Sequence, residues 1–236
     1  MKKRILFFDL DNTIFDFSKA EKIALSKTLS QMGIEPTEEI CALYSKLNTA
    51  QWKLLELGQI TREQVKVRRY ENLFRKLNID TMEGKSVEEL AAHAASVYEH
   101  LLGFGHYYID GAEELIRDLA PNYDLYLVTN GTKSVQDGRL ASAGIRPLFK
   151  GVFISEEIGS DKPGKEYFDR CFALMPEFKK EEALLIGDSL TADILGGKNT
   201  GIETVWFNPS GAENHTDIVP TYEIKTLKEL YPILGE

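Results

Sequence analysis

The sequence predicts an α/β fold: a doubly wound parallel sheet, Rossmann-like, with a helical-bundle domain inserted after its first strand. Three observations lead there. Ile5, Leu6, Phe7 and Phe8 make an uninterrupted apolar run, the pattern of a strand buried on both faces of a parallel sheet. From about residue 17 to about residue 104 only helical periodicity follows, with no strand pattern between the helices. From about Tyr107 onward, short apolar runs alternate with helical stretches, the order a doubly wound sheet requires.

The first strand, Arg4 to Phe8, ends abruptly at two acids, Asp9 and Asp11. Ser18 and Glu21 then have the spacing of a capping box, and Ala24, Leu25, Thr28, Leu29 and Met32 share one helical face up to Gly33. Thr37 is placed to cap a second helix, whose Ile40, Leu43, Tyr44, Leu47 and Leu54 recur at helical spacing as far as Gly58. Thr61 with Gln64 opens a third helix carrying Tyr70, Leu73, Phe74 and Leu77. Ser86 with Glu89 opens a fourth carrying Leu90, Ala94, Val97, Tyr98 and Leu101. One apolar stripe per helix suits a small antiparallel bundle. Beyond it come a helix over Glu113 to Leu119, a strand over Leu125 to Val128 ending at Thr129-Asn130-Gly131, and a helix over Ser134 to Ala143. A strand at Val152 to Ile154, a helix over Glu166 to Met175 and a strand at Ala183 to Ile186 ending at Gly187-Asp188 follow. A helix from about Ala192, strands at Thr204 to Phe207 and about Tyr222 to Ile224, and a short helix with Leu227, Leu230 and Ile233 complete the pattern. The domains predicted are a core of residues 1–16 and 105–236 and a helical domain of residues 17–104.

Composition narrows the function. A chain of 236 residues with 43% hydrophobic content buries a real core. Lys and Arg total 28 against 37 Asp and Glu, and the net charge of −9 disfavours a nucleic-acid polymer as partner. Cys41 and Cys171 lie far apart without disulfide or metal spacing, which suits a reducing cytoplasm. No apolar stretch is long enough for a signal-peptide core or a membrane span, so neither membrane nor export is expected. His93, His100, His106 and His215 do not pair at ligand spacing. Monomer and small homo-oligomer both fit the chain.

The chemistry begins at Asp9. In open α/β sheets ligands sit beyond the carboxyl ends of the strands, where Asp9 and Asp11 stand. A turn accounts for Asp11 and Asn12, but not for a carboxylate directly after four buried residues, which is costly unless a cation offsets it. Asp188 ends another strand and would bring a third carboxylate to the same edge, although Asp188 and Ser189 could equally cap the next helix. Thr129-Asn130-Gly131 ends a further strand, where a plain turn is the alternative. Clustered carboxylates without histidine suit a hard octahedral ion, and Mg2+ is the expected cofactor.

Asp9-Leu10-Asp11-Asn12-Thr13 resembles the Asp-x-Asp-x-Thr signature of the haloacid dehalogenase superfamily in its phosphatase form. Thr129-Asn130-Gly131, Lys162-Pro163 and Gly187-Asp188-Ser189-Leu190-Thr191-Ala192-Asp193 resemble its second, third and fourth motifs in the expected order. The resemblance implies a hydrolase of small phosphomonoesters working through an aspartyl phosphate. Asp9 would be the nucleophile and Asp11 the general acid and base. Lys162 would offset the charge shared by Asp9 and the phosphoryl oxygens, and Thr129, Asn130, Gly131 and Lys162 would hold the phosphate. By the same resemblance Asp9, Asp188 and the backbone carbonyl of Asp11 bind Mg2+, while Asp193 orients its waters. The helical insertion would be a cap domain. With Ile154-Ser155-Glu156-Glu157 and Asp193-Ile194-Leu195-Gly196-Gly197, the chain looks most like the housekeeping pyrimidine 5'-nucleotidases of the superfamily. Sugar-phosphate and acylneuraminate-9-phosphate phosphatases share similar stretches, and a phosphomutase keeps both acids. A phospho-accepting binding module of the response-regulator kind is the rival from another class, but such modules carry no large insertion after the first strand.

Overall fold

Strand β1 (Ile5–Phe8) is buried along its whole length, as its apolar run requires. The structure is a computed structural model and describes residues 3–235. Contacts within the chain group Met1–Phe17 with His106–Glu236, and group Ser18–Gly105 separately.

The second unit is helical. Its helices are α1 (Phe17–Gln31), α2 (Glu38–Glu56), α3 (Arg62–Lys76) and α4 (Val87–Leu102). Thr37 caps α2 by accepting from the Ile40 N–H, and full capping boxes start α3 at Thr61 with Gln64 and α4 at Ser86 with Glu89. The capping box expected at Ser18 is absent. Ser18 lies inside α1, whose first N–H, at Phe17, donates to the side chain of Asn12 at 3.1 Å. Glu21 turns inward instead and accepts from Asn48 Nδ2 at 2.5 Å. The expectation that no strand interrupts the helices also fails: β2 (Thr81–Met82) and β3 (Lys85–Ser86) form a small antiparallel hairpin. Glu83 and Gly84 both take positive φ, 51° and 78°, the primed turn that hairpins prefer. Two residues per strand are too few to show alternation in sequence.

The first unit holds a six-stranded parallel sheet, built from β1, β4 (Asp124–Thr129), β5 (Gly151–Ile154), β6 (Ala183–Gly187), β7 (Glu203–Phe207) and β8 (Tyr222–Ile224). Their order is β5-β4-β1-β6-β7-β8, so β1 pairs with β4 on one side and β6 on the other. Helices α5 (Ala112–Leu119), α6 (Lys133–Ala143), α7 (Ser155–Ile158), α8 (Lys165–Ala173), α9 (Leu195–Thr200) and α10 (Leu230–Leu234) connect or follow the strands. Successive strand side chains point to opposite faces, which splits the core in two. Leu6, Phe8, Leu125, Leu127, Leu184 and Ile186 pack with Leu115, Ile116 and Leu119 of α5 and Leu230 of α10. Ile5, Phe7, Val128 and Leu185 pack with Tyr167, Phe168 and Cys171 of α8 on the other face. The doubly wound sheet expected from the sequence is therefore present. Among the described residues, no helix is long and apolar enough to cross a membrane.

Candidate active site

Strand register brings the acids together before any side-chain contact does. Phe8 is level with Leu127 of β4 and Ile186 of β6, so Asp9, Val128 and Gly187 come next at one height, with Thr129 and Asp188 one residue further. The Asp9 N–H donates to the Ile186 carbonyl at 2.9 Å, carrying the ladder one step past β1. The chain then turns back: Ile14 and Phe15 donate to the Leu10 carbonyl, and Asn12 takes a left-handed φ of 60°. Asn tolerates that conformation better than most residues, which gives Asn12 its place between Asp11 and Thr13.

Lys162 is the centre of the charge arrangement. Its ammonium is 2% exposed and donates to Asp9 Oδ1 at 2.6 Å, Asp193 Oδ1 at 2.6 Å and the Val128 carbonyl at 2.9 Å. An ammonium has three protons, and all three are used. Asn130 holds the loop that delivers Lys162: its Oδ1 accepts from the Lys162 N–H, and its Nδ2 donates to the Lys162 carbonyl, both at 2.8 Å. The Asn130 side chain thus grips the lysine loop, a task that the motif resemblance did not suggest.

Asp193 sits on a π-helical turn, Leu190–Ile194, capped by Ser189, whose hydroxyl accepts from the Ala192 N–H at 3.1 Å. Such turns widen a helix and frequently occur at functional positions. Asp193 is 1% exposed, with Oδ1 on Lys162 and Oδ2 accepting from the Ser189 N–H at 3.1 Å. Gly187 makes room for it, since a Cβ there would lie 2.6 Å from the Asp193 Cβ. Asp188 is half-buried, and its carbonyl accepts from Trp206 Nε1 at 2.8 Å.

Carboxylate oxygens of Asp9, Asp188 and Asp193 lie within 4.8 Å of one another. Burial pushes the Asp9 carboxyl well above its usual pKa, Lys162 pulls it back, and Asp193, Asp188 and Asp11 push it up again. Burial and then Asp193 raise Asp188 to about 7. Burial works against the Lys162 ammonium too, but the Asp193 and Asp9 carboxylates outweigh it and hold its pKa above the ordinary lysine value. One buried cation does not neutralise this many carboxylates. An all-oxygen donor set carrying excess negative charge fits a hard divalent cation.

Residues 6–207 match the haloacid dehalogenase-like hydrolases. The chain belongs to that family. It is 42% identical over 232 residues to the HAD-hydrolase YfnB of Bacillus subtilis, covering 98% of this chain and 95% of that one. The crystal structure of YfnB, bound to magnesium, superposes with a TM-score of 0.91 at 41% identity over 100% of both chains. Pyrimidine 5'-nucleotidase PynA of Streptococcus pneumoniae is 38% identical over 99% of this chain and 95% of its own length. Pyrimidine 5'-nucleotidase YjjG of Escherichia coli is 31% identical over 99% of each.

Within this family member, Asp9, Lys162, Asp188 and Asp193 converge, and Thr129 ends the neighbouring strand with its hydroxyl 3.0 Å from Gln136 Nε2. Asp11 lies on the loop after β1 and is held by two side chains of α6, Gln136 and Arg139. Sequence reasoning missed that pair. The signal available was their spacing: three residues apart, they share a helical face with Val135 and Leu140. Gly131 serves the same pair, since a Cβ on it would lie 2.6 Å from the Gln136 Cγ.

Proposed function

We propose that this hydrolase is a Mg2+-dependent phosphatase that cleaves pyrimidine nucleoside 5'-monophosphates through an aspartyl phosphate on Asp9. The observation carrying the phosphatase chemistry is the meeting of Asp9, Asp188 and Asp193 at the carboxyl edge of the sheet, with Asp9 and Asp193 paired to the Lys162 ammonium. The substrate class is supported by the 38% and 31% identity to PynA and YjjG over nearly the whole chain.

Phosphate monoesters are among the slowest compounds to hydrolyse unaided, so charge placement has to supply most of the acceleration. The Asp9 carboxylate attacks phosphorus, and the bond to the ribose 5' oxygen breaks. Asp11 gives its proton to that oxygen, so the nucleoside leaves neutral. Asp11 then takes a proton from the water that attacks the acyl phosphate, and Asp9 is released with inorganic phosphate. Lys162 stabilises the carboxylate and the phosphoryl oxygens next to it, while the Thr129 hydroxyl and the backbone of Asn130 and Gly131 hold the phosphate. Asp9, Asp188 and the Asp11 carbonyl would hold Mg2+, and Asp193 would orient its waters. The bound ion would offset the negative charge that otherwise keeps the phosphoryl group from Asp9. The inserted helical unit is assigned the role of a cap, which excludes water during transfer and selects the leaving group.

The test is a panel of nucleoside monophosphates and sugar phosphates offered to the purified protein with Mg2+. Release of phosphate from pyrimidine nucleotides in preference to the others is the predicted result. Activity confined to sugar phosphates would remove the nucleotidase reading, and a phosphorylated isomer in place of free phosphate would make the protein a mutase.

A further inference from the structure

The Asp11 carboxylate is gripped from beneath by α6. Gln136 Nε2 donates to Asp11 Oδ2 at 2.8 Å and to the Thr129 hydroxyl at 3.0 Å. Arg139 Nη1 donates to Asp11 Oδ1 and to Gln136 Oε1, the latter at 3.1 Å. Arg139 is 0% exposed and Gln136 1% exposed, whereas the Asp11 side chain is 27% exposed. The guanidinium carbon stands 5.1 Å from the Phe15 ring and 5.9 Å from the Phe17 ring, so aromatic faces attract the buried cation.

Packing alone does not explain this pair. A fully buried guanidinium is costly, and an apolar side chain would fill the same space on α6 more cheaply. A half-exposed aspartate left to itself samples several rotamers, yet an acid–base group has to stay within hydrogen-bond reach of the oxygen it serves. Donors on both of its oxygens remove that freedom. Because Gln136 also holds Thr129, the aspartate is set relative to the end of β4.

We infer that Gln136 and Arg139 are the positioning residues of Asp11, fixing the acid–base carboxylate against the Thr129 end of β4. The inference rests on the reading of Asp11 as the acid–base group. Neither residue touches the reacting atoms; both act through Asp11.

The leaving group separates this role from a structural one. A ribose 5' alkoxide needs a proton to depart, while p-nitrophenolate departs without one. The parameter kcat/KM reports the steps up to departure, so it should fall roughly 100-fold on a pyrimidine nucleoside monophosphate in Gln136→Leu and Arg139→Met. On p-nitrophenyl phosphate it should fall less than about threefold, since Asp11 is not needed there before departure. Arg139→Lys, which keeps the charge without the planar guanidinium that reaches Asp11 and Gln136 from one nitrogen, should recover part of the loss seen in Arg139→Met. Gln136→Leu keeps nearly the same volume and carries the test if the arginine variants do not fold. Asp11→Asn, measured alongside, should show the same selective loss. Equal losses on both substrates in Gln136→Leu, beside a selective loss in Asp11→Asn, would overturn the positioning role alone. Equal losses in Asp11→Asn itself would overturn the acid–base assignment and this inference with it.

Discussion

At Lys162 one ammonium answers two carboxylates and a carbonyl in a place with 2% exposure. Its removal leaves Asp9 and Asp193 facing each other without a cation. Lys162→Met should therefore abolish turnover and, in the metal-free protein, lower stability by about 3 to 5 kcal/mol. Chemical denaturation with chelator present measures this, and a change below about 1 kcal/mol would mean the carboxylates are neutralised by other means. Asp9 and Asp188 were legible in the sequence because each stands just beyond an apolar strand, whereas Lys162 and Asp193 were legible only through the motifs that contain them. Gln136 and Arg139 were not legible in the same way. Polar residues in a helix ordinarily face water, and only the tertiary fold shows that this face of α6 looks inward.

Among the elements, the helical unit shows where periodicity misleads. Of the stripe expected on α2, Tyr44 goes inside, but Ile40, Leu43, Leu47 and Leu54 are only half-buried, and Asn48 and Gln51 go inside with Tyr44. The helix is rotated from the apolar stripe to feed a buried polar chain. Arg69 Nη1 donates to Asn48 Oδ1 at 3.2 Å, and Asn48 Nδ2 donates to Glu21. The Arg69 guanidinium also lies 4.6 Å from the ring of Tyr98, which joins Tyr44 and Tyr70 in an aromatic group. Burial raises the Glu21 pKa, and hydrogen bonds from Ser45 and Asn48 with the charge of Arg69 hold it back. Arg69→Leu should cost about 3 kcal/mol, and adding Glu21→Gln should recover part of it, because the uncompensated charge is then gone. Thermal unfolding of the single and double variants reads the coupling; strictly additive losses would show that Glu21 does not depend on Arg69. Helix starts at Thr37, Thr61 and Ser86 were legible because capping is a local interaction. Glu21 has capping-box spacing too, but a buried partner won it.

Over the whole molecule, the doubly wound parallel sheet was legible from alternating strands and helices, whereas the strand order β5-β4-β1-β6-β7-β8 came from the tertiary fold. Three carboxylates, Asp9, Asp188 and Asp193, gather where the strands end, and this makes stability depend on pH and metal together. Asp188, at about 7, and Asp9, also raised, keep protons in the folded state that the unfolded chain releases near the ordinary carboxyl value of 3.8. In the metal-free protein the contribution of Asp188 is complete below that value and is lost as pH rises through about 7, and that of Asp9 is lost in the same direction. Mg2+ has to displace those protons. The rise in Tm that Mg2+ brings over chelator should be small near about pH 5.5 and grow towards about pH 8. A shift of constant size across that range would contradict the assignment of these acids as its ligands.

Everything else depends on Asp9 being the atom source that attacks phosphorus. Rapid quenching of Asp11→Asn during turnover of p-nitrophenyl phosphate, whose leaving group departs without a proton, followed by mass spectrometry of the peptide holding residues 5–15, tests it directly. One added phosphoryl group on Asp9, removed by mild base, is the predicted result. A phosphoryl group on any other residue, or turnover persisting in Asp9→Asn, would contradict it.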